Sequence, residues 1–419
     1  MNEAEIFSNL WMCTWEETME HLKIDHIKNQ LFDAIEGKHD RLIAIRRYLH
    51  QHPEVSFHEK ETAAYIAHFY QALDCHLETN VGDGYGIVVT IDSGKPGKTL
   101  ALRADFDALP IQEETGLDYA SINPGISHAC GHDGHTAFMM ILAETLIELK
   151  DQWQGTIKII HQPAEEIPPG GAIGMIKAGV LEGVEAIFGV HHWVSLPFGT
   201  VAYSSGPVMS GRSSFKLTIK GKGGHGAAPH LANDANVAAS FFMNVVQTII
   251  SRRVDPLEAA TLTVGNMDGS GLFNVIKDQV LLEGDVRFNS QATCQVIEEQ
   301  FKNMVQGLAL MFDVETELIY ENDYPYVYND DLLTDFVHNS IQSSALSEIQ
   351  HIDSHFRVMA SEDFAYYTQE IPACYFFLGQ MPDNGIYYPH HNPKFEINEK
   401  VLALSAKLMG NLAIDYLCQ

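Results

Sequence analysis

Residues 127–135 read Ser-His-Ala-Cys-Gly-His-Asp-Gly-His and run directly into an apolar segment of helical period, Thr136 to Leu149. β-rich runs lie on either side, Lys98 to Ala104 before it and Gly155 to Gln162 (Gly-Thr-Ile-Lys-Ile-Ile-His-Gln) after it. A strand, a helix and a second buried strand in succession predict a helix-flanked α/β sheet. The cluster itself, with one thiol, three imidazoles and a carboxylate, falls at the predicted helix N-terminus. There the helix dipole and free backbone N–H groups favour a thiolate over a thiol. A thiolate at Cys130 and a neutral imidazole at His132 are good ligands for zinc or another borderline divalent ion. Taken alone, the same residues would also suit a small buried cysteine among surface histidines.

Working outward, Tyr85 to Ile91 reads as a further strand, separated from Lys98 to Ala104 by the turn Asp-Ser-Gly-Lys-Pro-Gly, and Ala186 to Val190 as another. Sites in open α/β sheets form beyond the carboxyl ends of the strands. One strand ends in Arg103-Ala-Asp105-Phe-Asp107, another in Gln162-Pro-Ala-Glu165-Glu166 and a third in Gly189-Val-His191-His192-Trp193. Any one acid pair could be a solvated loop, but three strand ends carry ligand-type side chains where the rule puts a site.

Upstream, helices are predicted at Asp40 to His50, closed by Pro53, and at Lys60 to Leu73; residues 1–37 read as an extension of unassigned role. Near Ser210 the rhythm changes. Phe215, Leu217 and Ile219 alternate, Ala235 to Ile250 is helical, Thr261 to Val264 and Val280 to Phe288 are strands, Val296 to Leu310 is helical and Val314 to Tyr320 is a strand. That order is βαββαβ, the ferredoxin-like pattern. The expected organisation is a catalytic domain with a helix-flanked mixed sheet in two parts, 38–209 and 323–419, and an inserted domain at 210–322. The second part holds Ser361-Glu-Asp-Phe-Ala-Tyr-Tyr367, a strand at Ala373 to Leu378, Pro389-His-His391-Asn-Pro393 and a last helix from about Glu399 to Leu417.

The chain has 419 residues, 26 Lys and Arg against 55 Asp and Glu, and a formal charge of −29, which argues against a nucleic-acid or anionic-membrane surface. Six scattered cysteines do not form a secreted disulfide framework and fit a reducing cytoplasm. The N-terminus lacks a basic region followed by an apolar one, and no apolar run approaches the ~20 residues that span a bilayer. The expectation is a soluble cytoplasmic protein.

Seven ordered motifs then carry a family resemblance. They are Arg-Ala-Asp-Phe-Asp-Ala-Leu-Pro at 103–110, His-Ala-Cys-Gly-His-Asp-Gly-His at 128–135, Gln-Pro-Ala-Glu-Glu at 162–166, Gly-Val-His at 189–191, Gly-Gly-His-Gly-Ala-Ala-Pro-His at 223–230, Ser-Glu-Asp-Phe-Ala-Tyr-Tyr at 361–367 and His-Asn-Pro-Lys-Phe at 391–395. From about residue 40 onward the sequence resembles the amidohydrolase branch of the co-catalytic metallopeptidases, which includes aminoacylases, bacterial carboxypeptidases, hippurate hydrolases, auxin-conjugate hydrolases and N-acetyl-diaminopimelate deacetylases.

The resemblance implies a homodimeric enzyme that binds two divalent metal ions, zinc first, with manganese, cobalt or nickel as alternatives. It implies Cys130, His132, Glu166, His191 and His391 as ligands, Cys130 bridging, Glu165 as general base and Asp105 as the carboxylate that orients a ligand. His192 and His390 abut two ligands; the motifs favour His191 and His391. His225 would stabilise the oxyanion, commonly in the partner's site, and the inserted domain would form the dimer. Asn274 and Arg287 are candidates for the substrate carboxylate, although Arg287 could equally be a structural ion-pair residue. The implied reaction is hydrolysis of an N-acyl amino acid. A dipeptidase or carboxypeptidase on the same scaffold, a metal-free thiol hydrolase using Cys130, and a silent metal-binding scaffold are the competing readings. The Glu165–Glu166 pair speaks against the last, because a structural site needs no base.

Overall fold

The structure, a computed structural model, describes residues 22–418. The chain forms two compact units. One comprises residues up to Gly206, Asn329–Phe356 and the chain from Tyr367 onward; the other comprises Pro207–Tyr328 and Arg357–Tyr366.

The first unit begins with α1 (22–36), α2 (His39–Gln51) and α3 (Lys60–Tyr70), then β1 (His76–Val81), β2 (Gly86–Asp92) and β3 (Thr99–Asp105). It continues through α4 (His132–Glu148), β4 (Thr156–Gln162), α5 (Ala172–Lys177), β5 (Ala186–Pro197) and β6 (Thr200–Ala202). Next come β7 (Gly206–Met209), β8 (Gly211–Lys220), β9 (Gly224–His225), α6 (Ala235–Val246), α7 (Thr248–Arg252), β10 (Ala260–Asp268), β11 (Val275–Ile276), β12 (Gln279–Phe288), α8 (Gln291–Phe312), β13 (Glu315–Tyr324) and β14 (Val327–Asn329). The chain ends with α9 (Asp331–Ser343), β15 (His351–Asp353), α10 (Ala365–Glu370), β16 (Ala373–Met381) and α11 (Lys400–Leu417).

Eight strands of the first unit form a mixed sheet in the order β1-β2-β4-β3-β5-β16-β6-β15. Its centre is parallel: β3 pairs parallel with β4 and β5, and β5 with β16. Such strands are covered on both faces, and β16 is buried along nearly its whole length. The sequence missed β1, β6 and β15, whose short or exposed runs carry no two-sided apolar signal. Helix α4 packs against α2 and α11 and is buried from His132 through Ile147, as a helix that is apolar all round must be.

Of the expected extension 1–37, residues 1–21 lie outside the described residues. The remainder is no appendage, because Ile27, Leu31 and Ile35 of α1 are buried in the main core. The spacing of those three residues places them on one helix face.

In the second unit, four antiparallel strands lie in the order β10-β12-β8-β13. Phe215, Leu217 and Ile219 of β8 point inward at alternate positions toward a core that also holds Phe242 of α6 and Phe301 of α8. Helix starts are set chemically: the Asp234 side chain accepts the N–H groups of Asn236 and Val237, and Ser290 Oγ accepts that of Thr293. Residues 357–366, expected with the catalytic part, belong with this unit. Val358 and Ser210 tie them to its first strands through main-chain bonds.

Candidate metal centre

The parallel strands bring separate pieces of sequence to one edge. Asp105 is the last residue of β3, the turn after β4 carries Glu165 and Glu166, and α4 starts at His132. Gly131, between the two ligand candidates of the helix start, has φ +94°, which an L side chain rarely adopts. β5 does not end at His191 but continues to Pro197, because β16 pairs with it beyond the point where β3 stops. His391 follows β16 on a loop, with φ +66° and its N–H bonded to Ala129 O at 2.8 Å.

The five expected ligands converge. Cys130 Sγ lies 3.5 Å from His191 Nε2. Glu166 Oε1 is 3.3 Å from His391 Nε2 and 3.9 Å from His132 Nε2. Ligand atoms of Cys130, His132 and His191 lie within 4.8 Å of one another, as do those of Cys130, Glu166 and His391. A tetrahedral ion with bonds of ~2.0–2.3 Å spaces its ligand atoms roughly 3.3–3.8 Å apart. Cys130 belongs to both groups.

The donor set fits cations on a further count. His132 Nε2 and Glu166 Oε1 are buried and form no hydrogen bond. Buried polar atoms without hydrogen bonds are costly, and an ion would satisfy both. The charge balance agrees. Burial alone would lower the His132 pKa, but the charges of Asp105 and Cys130 and the Asp107 hydrogen bond hold it well above its ordinary value. Contacts with Cys130 and Glu166 push His391 up to about 10. The Cys130 thiol is pushed up, first by burial and then by Glu166. A neighbouring cation would favour the thiolate.

Asp105 is not the carboxylate bonded to a ligand. One of its oxygens accepts from Arg103 Nη1 at 2.6 Å and the other lies 2.6 Å from His135 Nδ1, while His132 Nδ1 is 3.9 Å away. Asp107 has that place, with Oδ1 accepting from His132 Nδ1 at 3.0 Å and Oδ2 from the Glu166 N–H at 3.0 Å. The sequence did carry a second candidate, since Asp107 stands two residues on in the same Arg-Ala-Asp-Phe-Asp motif. Another unforeseen support is Glu59, fully buried, whose Oε1 accepts the Ala164 N–H at 2.7 Å. Burial, and then Asp107, raise its pKa to about 8.

His192 and His390 each point away from the ligand cluster, His192 Nε2 to Ser405 Oγ at 2.7 Å and His390 Nε2 to the carbonyl of His192 at 3.0 Å. The remaining expected site residues belong to the second unit. His225 pairs with Val275 in the β9–β11 ribbon, and the Gly226 N–H donates to Asn274 O at 2.9 Å, so His225 and Asn274 sit side by side. Arg287 is engaged within its unit, donating to Asp285 Oδ2 at 2.7 Å and Ser361 Oγ at 3.0 Å.

Comparison with known proteins adds the following. The pattern of Peptidase family M20/M25/M40 matches residues 101–415. N-acetyl-L-cysteine deacetylase of Bacillus subtilis (strain 168) is 39% identical over 363 residues, covering 86% of this chain and 85% of its own. A crystal structure from methicillin resistant Staphylococcus aureus is 52% identical with a TM-score of 0.88, covering 93% of this chain and all of that one. The YXEP protein of Bacillus subtilis, described as a dinuclear metal binding peptidase of the M20 family, is 32% identical with a TM-score of 0.78 over 91% of this chain and 99% of its own.

Proposed function

Because the chain belongs to Peptidase family M20/M25/M40, we propose that it is a metal-dependent amidohydrolase that splits N-acyl amino acids into a carboxylic acid and a free amino acid. The observation that carries this reading is the convergence of Cys130, His132, Glu166, His191 and His391, with His132 Nε2 and Glu166 Oε1 buried and without a hydrogen bond. Deacetylases and acyl-amino-acid hydrolases among the relatives support the substrate class.

Two divalent ions held by Cys130, His132, Glu166, His191 and His391 would supply Lewis acidity, lowering the pKa of a water and polarising the amide carbonyl. Zinc is the ion we favour for this mixed sulfur and nitrogen set. Glu165, buried next to Glu166, accepts the proton of the attacking water and returns it to the leaving amine. His225 supplies an oxyanion donor. Its Nδ1 accepts the Ala227 N–H at 3.1 Å, which leaves the proton of the neutral ring on the exposed Nε2. Asn274, next to it, and Arg287, which donates to Asp285, are the candidate contacts for the substrate carboxylate.

We read the second unit as a ferredoxin-like lid through which two copies pair. Its sheet ends in open strands β10 and β13, and in the single chain Phe273 is fully and Leu272 largely exposed to solvent. Pairing across a two-fold axis covers such edges. No helix among the described residues is long and apolar enough to cross a membrane, and we place the enzyme in the cytoplasm, where its free thiols would stay reduced.

The test is hydrolysis of acetyl, benzoyl and indolylacetyl amino acids, with dipeptides alongside, by the metal-loaded protein. Acyl amino acid turnover that disappears in chelator and returns with metal is expected. Full activity in chelator would defeat the reading, and turnover of dipeptides alone would transfer it to a dipeptidase.

A further inference from the structure

His135 closes the Ser127–His135 cluster, yet the proposed chemistry gives it no task. It is buried to 1% exposure, and both ring nitrogens are engaged. Nε2 accepts the main-chain N–H of His192 at 3.1 Å, and Nδ1 lies 2.6 Å from Asp105 Oδ1. A backbone N–H can only donate, so the lone pair is on Nε2 and the ring proton on Nδ1, given to Asp105. With both nitrogens committed, the ring has no lone pair left for an ion. Asp105 is itself fixed by Arg103 Nη1 at 2.6 Å, and Arg103 Nε donates to Gln162 Oε1 at 2.9 Å.

The far end of this buried chain is the backbone of His192. Its N–H, in the peptide that joins it to His191, is held by His135; its C=O, in the next peptide, accepts from His191 Nδ1 at 2.8 Å and from His390 Nε2 at 3.0 Å. Donation from Nδ1 leaves the lone pair of His191 on Nε2, the atom 3.5 Å from Cys130 Sγ. The His135 ring also packs edge-on against His191, with centroids 4.6 Å apart. His132 and Glu166 have a separate support in Asp107.

We propose that His135 is a positioning residue of the metal centre: the Arg103–Asp105–His135 chain holds the peptide that joins His191 to His192, fixes the strand backbone there and so aims His191 Nε2 at the ion it shares with Cys130. This rests on the metal-hydrolase reading above. Asp107 supports one ligand of each group, His132 and Glu166, whereas His135 acts through His191 alone, in the group of Cys130, His132 and His191. Loss of His135 therefore acts on one ion and spares the other.

Cobalt(II) titration of the full chain, followed by cobalt–thiolate absorption and by calorimetry, tests this, with circular dichroism reporting folding. His135→Gln can accept from the His192 N–H and donate to Asp105; His135→Asn is too short to reach both, and His135→Ala reaches neither. The native chain takes up two ions. His135→Asn and His135→Ala weaken one binding event about ten- to hundredfold and leave the other within about twofold, while His135→Gln restores most of the loss. A folded His135→Asn or His135→Ala chain that binds both ions with native affinity overturns the role, as does a His135→Gln chain as impaired as His135→Ala. A native chain that takes up no cobalt refutes the metal-hydrolase reading itself, and the role with it.

Discussion

Asp107 Oδ1 accepts the Nδ1–H of His132 at 3.0 Å with both side chains fully buried. The bond fixes the His132 tautomer and leaves Nε2 as the atom that can take an ion. The other oxygen of Asp107 accepts the Glu166 N–H and, at 2.7 Å, Ser56 Oγ, so one carboxylate sets two ligands from different parts of the chain.

Replacing Asp107 by Asn keeps an acceptor for His132 but puts an NH2 group against the Glu166 N–H. The Asp107→Asn chain is expected to fold and to bind metal about 10- to 100-fold more weakly. Equilibrium dialysis with metal analysis measures this, and native metal content at limiting free ion would contradict it.

Glu165 and Glu166 are adjacent but have different tasks. Glu165→Gln is expected to keep its metal and to lose roughly 10²–10⁴-fold in kcat, because an amide cannot accept the proton. Glu166→Gln should lose metal affinity first, with activity partly recovered at high metal concentration. Steady-state kinetics with metal analysis separates the two, and native turnover by Glu165→Gln would remove it as the base.

Stability should fall on the acid side because of His161. Its Nε2 lies 2.8 Å from Tyr70 Oη and its Nδ1 3.2 Å from Thr136 Oγ1, and burial lowers its pKa to about 3. Below its unfolded value of about 6.5 the unfolded chain takes a proton that the folded one refuses, so stability is lost as pH falls from there toward 3. One such proton amounts to ~1.4 kcal/mol per pH unit. His161→Gln, which can keep one hydrogen bond and does not titrate, should show a shallower decline between pH 6 and 4 in thermal unfolding. Parallel curves for the two chains would refute the assignment.

Assembly is testable through His225. A chain carrying His225→Ala and one carrying Glu165→Gln are each expected to be inactive, and a hybrid dimer of the two should regain one working site if His225 serves the partner's centre. Confirmed subunit exchange without returning activity would restrict His225 to its own chain.

The sequence by itself determined the parts. Apolar periodicity located the central strands and α4, since a buried run needs no partner to be recognised, and the motifs at 128–135, 162–166, 189–191 and 391–395 named the ligand types. What only the tertiary structure decided was which neighbour each polar group meets. Asp105 and Asp107 stand two residues apart in one motif and look interchangeable in sequence, but Arg103 and His135 occupy one while His132 and the Glu166 N–H occupy the other. Residues 22–36 look like an appendage until Leu31 is seen against Gly410 of α11, a contact across most of the chain. Hydrogen-bond partners and docking contacts depend on distances between segments remote in sequence, and local pattern carries no record of those distances.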